Sequence, residues 1–295
     1  TAVKDEDFVE HLLIASTHAT ILCFSNFGKV YWLKVFHIPL ASRNSRGRPM
    51  VNLLPLDEGE RITSILPVEG YEDGHYIFMA TARGVVKKTD MQQFARQRSV
   101  GLRALELEAD DWLVGTSVTD GTCDVMLLSS EGKAVRFAES TVRAMGRTAK
   151  GVRGITLPED HTLISLIVPK PGSSVLTVSE RGYGKRTETD EFPIKGRGTK
   201  GVIAMAATDK NGPLVGAVQV LAGDEIMLIS DQGTAVRTRV EEISTLGRNT
   251  QGVRVIKPRE DEKLVRLSRI AEDDGAAVDS AAIGTADLDT DGRDE

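Results

Sequence analysis

The chain has 295 residues, 40% of them apolar, and no run of eighteen apolar residues, so it holds material for a sizeable core and none for a membrane-spanning helix. Its two cysteines, Cys23 and Cys123, sit in apolar surroundings, the pattern of free thiols in a reducing compartment, the cytoplasm, rather than of a disulfide framework or a zinc site. The formal net charge of −6 misleads until it is divided: 271–295 hold nine acidic residues against one Arg, or −8, which leaves +2 on the 270 residues before them.

Residues 1–15 (TAVKDEDFVEHLLIA) resemble the closing part of later segments such as 56–68 (LDEGERITSILPV) and 107–118 (LEADDWLVGTSV), each an acidic turn followed by alternating apolar residues. The chain is therefore expected to begin inside a structural unit whose first half precedes Thr1. No basic-plus-apolar leader opens it, so a secretory signal is not expected. From residue 25 a motif then recurs five times, at 25–47, 81–101, 129–151, 179–201 and 230–252. Each copy has a Ser or Thr three residues before a glycine and basic residues soon after it. A second glycine follows seventeen or nineteen positions later. The first glycines, Gly28, Gly84, Gly132, Gly182 and Gly233, step by 56, 48, 50 and 51 residues, a spacing that marks a repeat architecture.

Within a repeat the apolar period is two. Short apolar runs such as 125–128, 174–178 and 225–229 enter a turn whose glycine can take positive φ, as in a hairpin with a bulge. A second strand follows at 134–137, 183–187 or 235–239, a short helical turn is expected near 139–145 and 241–246, and a third extended segment begins after the second glycine. A last apolar strand closes each unit. About four strands per 50 residues is the size of a propeller blade. The reading is an all-β, propeller-like array of five or six four-stranded blades over 1–270. The composition of 271–295 predicts a disordered acidic tail.

Several motifs look like chemistry and fail on context. Gly196 to Gly201 spells G-x-G-x-x-G, but the next residues are extended rather than helical. Gly184-Lys185-Arg186-Thr187 lacks the first glycine and the Lys-Ser/Thr order of a phosphate loop. Asp287, Asp289, Asp291 and Gly292 copy the start of a calcium loop without its closing Glu. Histidines 11, 18, 37, 75 and 161 form no ligand pair, and no catalytic constellation is visible, so no catalytic residue, metal or cofactor is assigned to this chain.

The basic residues recur with the repeat. Lys34, Lys88, Arg136, Arg186 and Arg237 hold nearly equivalent places after the turn glycine, beside Lys29, Lys87, Lys133, Lys185 and Arg239. A second set gathers near the second glycine: Arg43, Arg46, Arg48, Arg96, Arg98, Arg147, Lys150, Arg197, Lys200 and Arg248. The sections 25–51, 81–103, 129–153, 179–202 and 230–254 carry +5, +5, +4, +2 and +1. Arranged around an axis, they would give a continuous basic surface. Aromatic content of 5% argues against stacking on single strands, so the track fits phosphate contacts to duplex DNA with little reading of sequence. A propeller scaffold for protein partners, with the basic stripes incidental, is the competing interpretation.

The motifs EDFVEHLL (6–13), GKVYWL (28–33), RGRPMVNLLPL (46–56), VRAMG (142–146), GVRGI (151–155), YGKRT (183–187) and GRNTQGV (247–253) closely resemble the C-terminal domain family of bacterial DNA gyrase A subunits. That resemblance implies a six-bladed β-pinwheel, here with a truncated first blade, whose rim bends DNA and so directs negative supercoiling by the holoenzyme. It implies as partners double-stranded DNA, the gyrase B subunit, and the N-terminal cleavage domains of the same subunit, with ATP and Mg used by the holoenzyme and not by this chain. The related topoisomerase IV domain is the near alternative, and GRNTQGV and GKVYWL favour gyrase. The family's Gln-Arg-Arg-Gly-Gly-Lys-Gly box has its nearest echo in Gln97-Arg98-Ser99-Val100-Gly101, which lacks the paired glycines. None of Tyr31, Tyr71, Tyr76 or Tyr183 matches the family's catalytic tyrosine.

Overall fold

The computed structural model describes residues 15–40, 49–259 and 261–270. The hairpin motif explains its own residues. In β1 (Thr20–Ser25) and β2 (Lys29–Lys34), Ser25 Oγ accepts the Lys29 amide at 3.3 Å across a turn in which Gly28 has φ +71°. Thr81, Ser129 and Ser230 cap the next strand in the same way. A short hydroxyl three residues before a left-handed glycine is thus the local chemistry of the turn.

The first repeat is completed by β3 (Ile62–Val68). The second comprises β4 (Tyr76–Thr81), β5 (Val85–Asp90), a short β6 (Leu102–Arg103) and β7 (Leu113–Thr119). The third has β8 (Asp124–Ser129), β9 (Lys133–Ala138), β10 (Val152–Arg153) and β11 (Leu163–Ile167). The fourth has β12 (Ser174–Ser179), β13 (Tyr183–Glu188), β14 (Val202–Ile203) and β15 (Leu214–Val220). The fifth has β16 (Glu225–Ser230), β17 (Ala235–Arg239), β18 (Val253–Arg254) and β19 (Leu264–Ile270). One-turn 3-10 segments at Met91–Phe94, Glu139–Thr141, Thr189–Glu191 and Val240–Glu242 occupy the expected helical turns.

The sheets do not coincide with the repeats. Their orders are β3-β1-β2-β6, β10-β5-β4-β7, β11-β8-β9-β14, β15-β12-β13-β18 and β17-β16-β19. Every two-residue outer strand therefore belongs to the blade before its own repeat, so neighbouring blades exchange strands. The second motif glycine makes this possible. A Cβ on Gly201, at φ +77°, would stand 2.4 Å from the Ala134 carbonyl oxygen. Only a glycine lets the loop pass that close over the preceding blade before it lays down β14.

Among the described residues there are five blades, four with four strands and one with three, rather than the expected six. The incomplete first blade was expected at 1–15, of which 1–14 lie outside the described residues, as does the 271–295 tail. The inner strands β3, β7, β11, β15 and β19 line a common channel of about 700 Å³. They pack through small residues, with Ser64 Oγ 2.9 Å from Thr116 Oγ1, and Ser165 Oγ accepting the Ala217 amide at 3.0 Å.

The core lies between blades, not within a single layer. Leu22, Phe24 and Val30 pack against Ile77, Met79 and Phe94; Phe78 and Val86 pack against Val125, Leu127 and Phe137; Leu176 and Val178 pack against Ile226 and Leu228. A middle strand such as β8 is covered on both faces, which is why it reads as the near-continuous apolar run DVMLLS.

Candidate nucleic-acid interface

The basic residues singled out in the sequence divide into three structural sets. The first is buried. Lys87 and Lys185 are fully buried, and their ammonium groups donate to main-chain carbonyls: Lys87 to Ala104 (2.8 Å) and Arg147 (2.5 Å), Lys185 to Gly247 (2.5 Å) and Arg248 (2.6 Å). Desolvation pushes both ammonium groups down to about 8. Lys88, 6% exposed, faces the buried Glu139 carboxylate at 3.4 Å and lies 4.6 Å from the Tyr76 ring centre. These three were expected to touch a ligand, and burial removes them from any such contact. They fix the loops of the next repeat instead.

The second set is engaged in bridging the protein to itself. Arg136 pairs with Asp124 (2.9 Å) and donates to the Thr189 and Phe192 carbonyls of the following repeat at 3.1 and 3.3 Å. Arg186 donates to the Ile243 carbonyl at 2.7 Å. Lys34 donates to Thr20 Oγ1 at 2.7 Å, Lys133 pairs with Glu131 at 3.6 Å, Lys29 pairs with Asp57, and Arg237 pairs with Glu225. At Lys88, Arg136 and Arg186 recurrence after the turn glycine thus reports a blade-to-blade joint, whereas Lys34 and Arg237, at the two ends of the array, are bonded within their own hairpins.

The third set forms an external band. Arg96, Arg98, Lys150, Arg197, Lys200 and Arg239 are exposed, with Lys150 3.4 Å from the equally exposed Glu108; Arg147 and Arg248 are half-buried. The loop arginines share one geometry. Arg147 donates to the Arg103 carbonyl (3.5 Å), Arg197 to the Arg153 carbonyl (3.0 Å) and Arg248 to the Ile203 carbonyl (3.2 Å). Each acceptor is the second residue of the preceding outer strand, so β6, β10 and β14 are tied to the loops that follow and the outer edge is continuous. Arg43, Arg46 and Arg48 lie outside the described residues.

Sequence reasoning missed the side chains on those outer strands. Arg103, Arg153 and Arg254 are exposed at the second position of β6, β10 and β18. Their signal was present in the recurring Gly-Leu-Arg and Gly-Val-Arg triplets at 101–103, 151–153 and 252–254.

Two other features carry no chemistry of this kind. Asp120, Cys123 and Glu139 bring their ligand atoms within 4.8 Å, but Glu139 already accepts from Thr119 Oγ1 (2.7 Å) and the Gly121 amide (3.0 Å) and faces Lys88. Hydrogen bonds from Cys123 and Thr122 hold the exposed Asp120 carboxyl well below the usual carboxylate range. The G-x-G-x-x-G run leads into β14 and not into a helix, so it is no dinucleotide turn. No helix among the described residues is long and apolar enough to cross a membrane.

The fold and this band define a class: a strand-exchanged propeller with a cationic outer edge. The family model for the DNA gyrase C-terminal domain, beta-propeller, matches at 19–69, 75–120, 124–170, 173–220 and 224–271, one match per repeat, and the chain belongs to that family. It is 57% identical over 270 residues to the DNA gyrase A subunit of Salmonella typhimurium, covering 92% of this chain and 31% of that protein. It is 54% identical over 285 residues to the DNA gyrase A subunit of Escherichia coli K12, covering 97% and 32%. The chain thus spans about a third of the length of these relatives. Among solved structures, the C-terminal domain of DNA topoisomerase IV superposes with a TM-score of 0.80 at 27% identity, covering 91% of this chain and 84% of that one. A DNA gyrase A C-terminal domain gives a TM-score of 0.76 at 24% identity, covering 92% and 93%, a likeness of fold.

Proposed function

We propose that this chain is the non-catalytic module with which a gyrase A subunit binds and bends duplex DNA, and that the DNA follows the band formed by the outer strands and basic loops. The observation that carries this reading is the set of loop arginines, Arg147, Arg197 and Arg248, fastened to successive outer-strand carbonyls, which ties the exposed Arg103 and Arg153 of those strands to basic loops that expose Lys150, Arg197 and Lys200; Arg96 and Arg98 are exposed on the corresponding loop of the second repeat. The band has no base-reading helix and few aromatics, which fits contact with phosphates. Bending 20–30 bp by 40–90° costs about 1–6 kcal/mol, and several phosphate contacts offset a cost of that size. Identities above 50% to gyrase A subunits, against 27% to the topoisomerase IV domain, favour gyrase over that alternative.

In the whole enzyme the module would hand a wrapped segment to the N-terminal cleavage domains, in the cytoplasm and beside the B subunit. ATP and Mg would be used there and not by this chain. Residues 1–15 would then belong to a sixth, incomplete blade. The acidic 271–295 segment would compete with DNA for the band, most strongly at low salt.

Relaxing a nicked plasmid in the presence of the chain, sealing it and resolving the topoisomers tests the reading. A linking-number shift of one sign is expected and should shrink in an Arg153→Gln/Arg197→Gln/Lys200→Gln variant. A wild-type chain that neither shifts linking number nor retards duplex at 100 mM salt would instead support the protein-scaffold interpretation.

A further inference from the structure

At the joint between the fourth and fifth blades, a cleft of about 420 Å³ is lined by five cations, Arg181, Lys210, Arg254, Arg259 and Lys263, and by two carboxylates, Glu180 and Glu262. Both carboxylates are already engaged. Glu180 faces Lys263 at 3.4 Å. Glu262 accepts from Ser230 Oγ and from the Arg259 amide (3.3 Å), and the Ser230 bond above all holds its carboxyl below the ordinary range.

Among the described residues, no carboxylate lies within ion-pair distance of Lys210 or Arg254, whereas Arg259 is near enough to Glu262 to help hold that carboxyl low. Two of these cations meet on one ring. Lys210 Nζ lies 5.5 Å and the Arg254 guanidinium 4.8 Å from the centre of Tyr183, and Arg254 Nη2 donates to the Tyr183 hydroxyl at 2.8 Å. Like charges gathered on one ring repel, and a bound anion relieves that repulsion.

The charge differs from that at the neighbouring joint. The cleft between the third and fourth blades is lined by Glu131, Glu180 and Asp209 against Lys133 and Arg181, an acidic balance at the corresponding place. It is also invisible to the per-repeat ledger, in which the fifth section was the least positive, because Lys210, Arg259 and Lys263 fall outside those sections.

We propose that this cleft is a phosphate-binding site separate from the basic loops. Arg254 supplies a planar fork suited to paired phosphate oxygens, Lys210 and Arg259 supply further charge, and Tyr183 holds the first two in place. The volume takes linked phosphates more readily than a single small anion. They have two sources: a free oligophosphate, or the backbone of a duplex passing off β18, which carries Arg254 on the outer edge. The second source rests on the duplex-binding reading; the first does not.

The test titrates the 295-residue chain with sodium tripolyphosphate, followed by amide NMR shifts and calorimetry, and separately with a 40-bp duplex. Variants are Lys210→Gln/Arg254→Gln, Lys210→Gln alone, whose exposed side chain makes no hydrogen bond that the fold needs, and the outer-edge pair Arg96→Gln/Arg98→Gln. Tripolyphosphate is expected to shift amides around 208–212 and 254–263. Its affinity should fall about tenfold in the double variant, less in Lys210→Gln, and stay unchanged in the outer-edge pair. If duplex affinity falls in Lys210→Gln as well as in the double variant, the site takes the DNA backbone, since Arg254 by itself already lies on the outer edge; if Lys210→Gln leaves it unchanged, the site takes free oligophosphate. Absence of amide shifts in the cleft, or equal weakening of tripolyphosphate by all three variants, overturns the proposal. A failure of the wild type to bind duplex would overturn the wrapping reading alone.

Discussion

Lys87 and Lys185 show what a single position does in a repeat protein. An ammonium group taken out of water is costly, and here two carbonyl acceptors per lysine compensate it while burial still pulls the group down from 10.5 to about 8. Both lysines are protonated in the folded and unfolded chain below pH 8, where burying the charge opposes folding in full. Between pH 8 and 10.5 the unfolded chain binds more protons, so stability rises with pH across that window. Urea midpoints of the wild type, measured from pH 7 to 10, are expected to climb relative to a Lys87→Met/Lys185→Met variant. A constant difference between the two curves would show that the lysines do not titrate in that range. Because each lysine holds the carbonyl of Arg147 or Arg248, the Met variant should also bind duplex more weakly at pH 7, when assayed by gel retardation, although no removed charge faced solvent.

At the scale of elements, the two-residue outer strand has the largest effect for its length. It closes the edge of the blade before it and fixes the loop that precedes it, so each joint is held by main-chain pairing and an apolar cluster together, with an arginine bridge added at the last two, from Arg136 to Thr189 and Phe192 and from Arg186 to Ile243. Among the described residues β17 has no such partner: it pairs with β16 alone and is exposed at alternate positions. Arg237 and Arg239 protect that edge, since charged side chains discourage pairing with another chain. Replacing both with Val is expected to promote association, seen as growth in light scattering with concentration, while the thermal midpoint of the dilute protein changes little. The turn glycines belong to the same scale. Their positions were legible in the sequence because positive φ selects glycine wherever a hairpin of this type recurs.

For the molecule as a whole, the net charge of −6 says little about what the surface attracts. Charges that repeat with the blade come to lie along one edge, and those on exposed loops interact with a polyanion over a long range at low salt. The formal charges of the sections fall from +5 to +1 along the chain; with Lys87 and Lys88 buried, the second repeat still exposes Arg83, Arg96, Arg98 and Arg103, so duplex binding should be weighted towards that repeat over the fifth. Arg96→Gln/Arg98→Gln should weaken binding more than Arg237→Gln/Arg239→Gln, because Arg237 is already paired with Glu225. The slope of log K against log salt should shrink by about 0.9 for each phosphate that is no longer neutralised. Equal slopes and equal losses in the two variants would show that the band is gripped uniformly.

The sequence by itself determined the repeat, its hairpin, the all-β class and the sections in which positive charge accumulates, because these follow from local rules: a left-handed glycine, a hydroxyl cap and a period of two. It also identified the family. Which basic residues face solvent was decided by the tertiary structure. Lys87 and Lys150 are equally basic in the sequence, yet one is sealed beneath the loop that carries the other. The exchange of strands between repeats decided this, by bringing each loop over the blade before it. A contact made across some sixty residues leaves no local trace, and the cleft at the last joint, assembled from three separate stretches of two repeats, leaves none either.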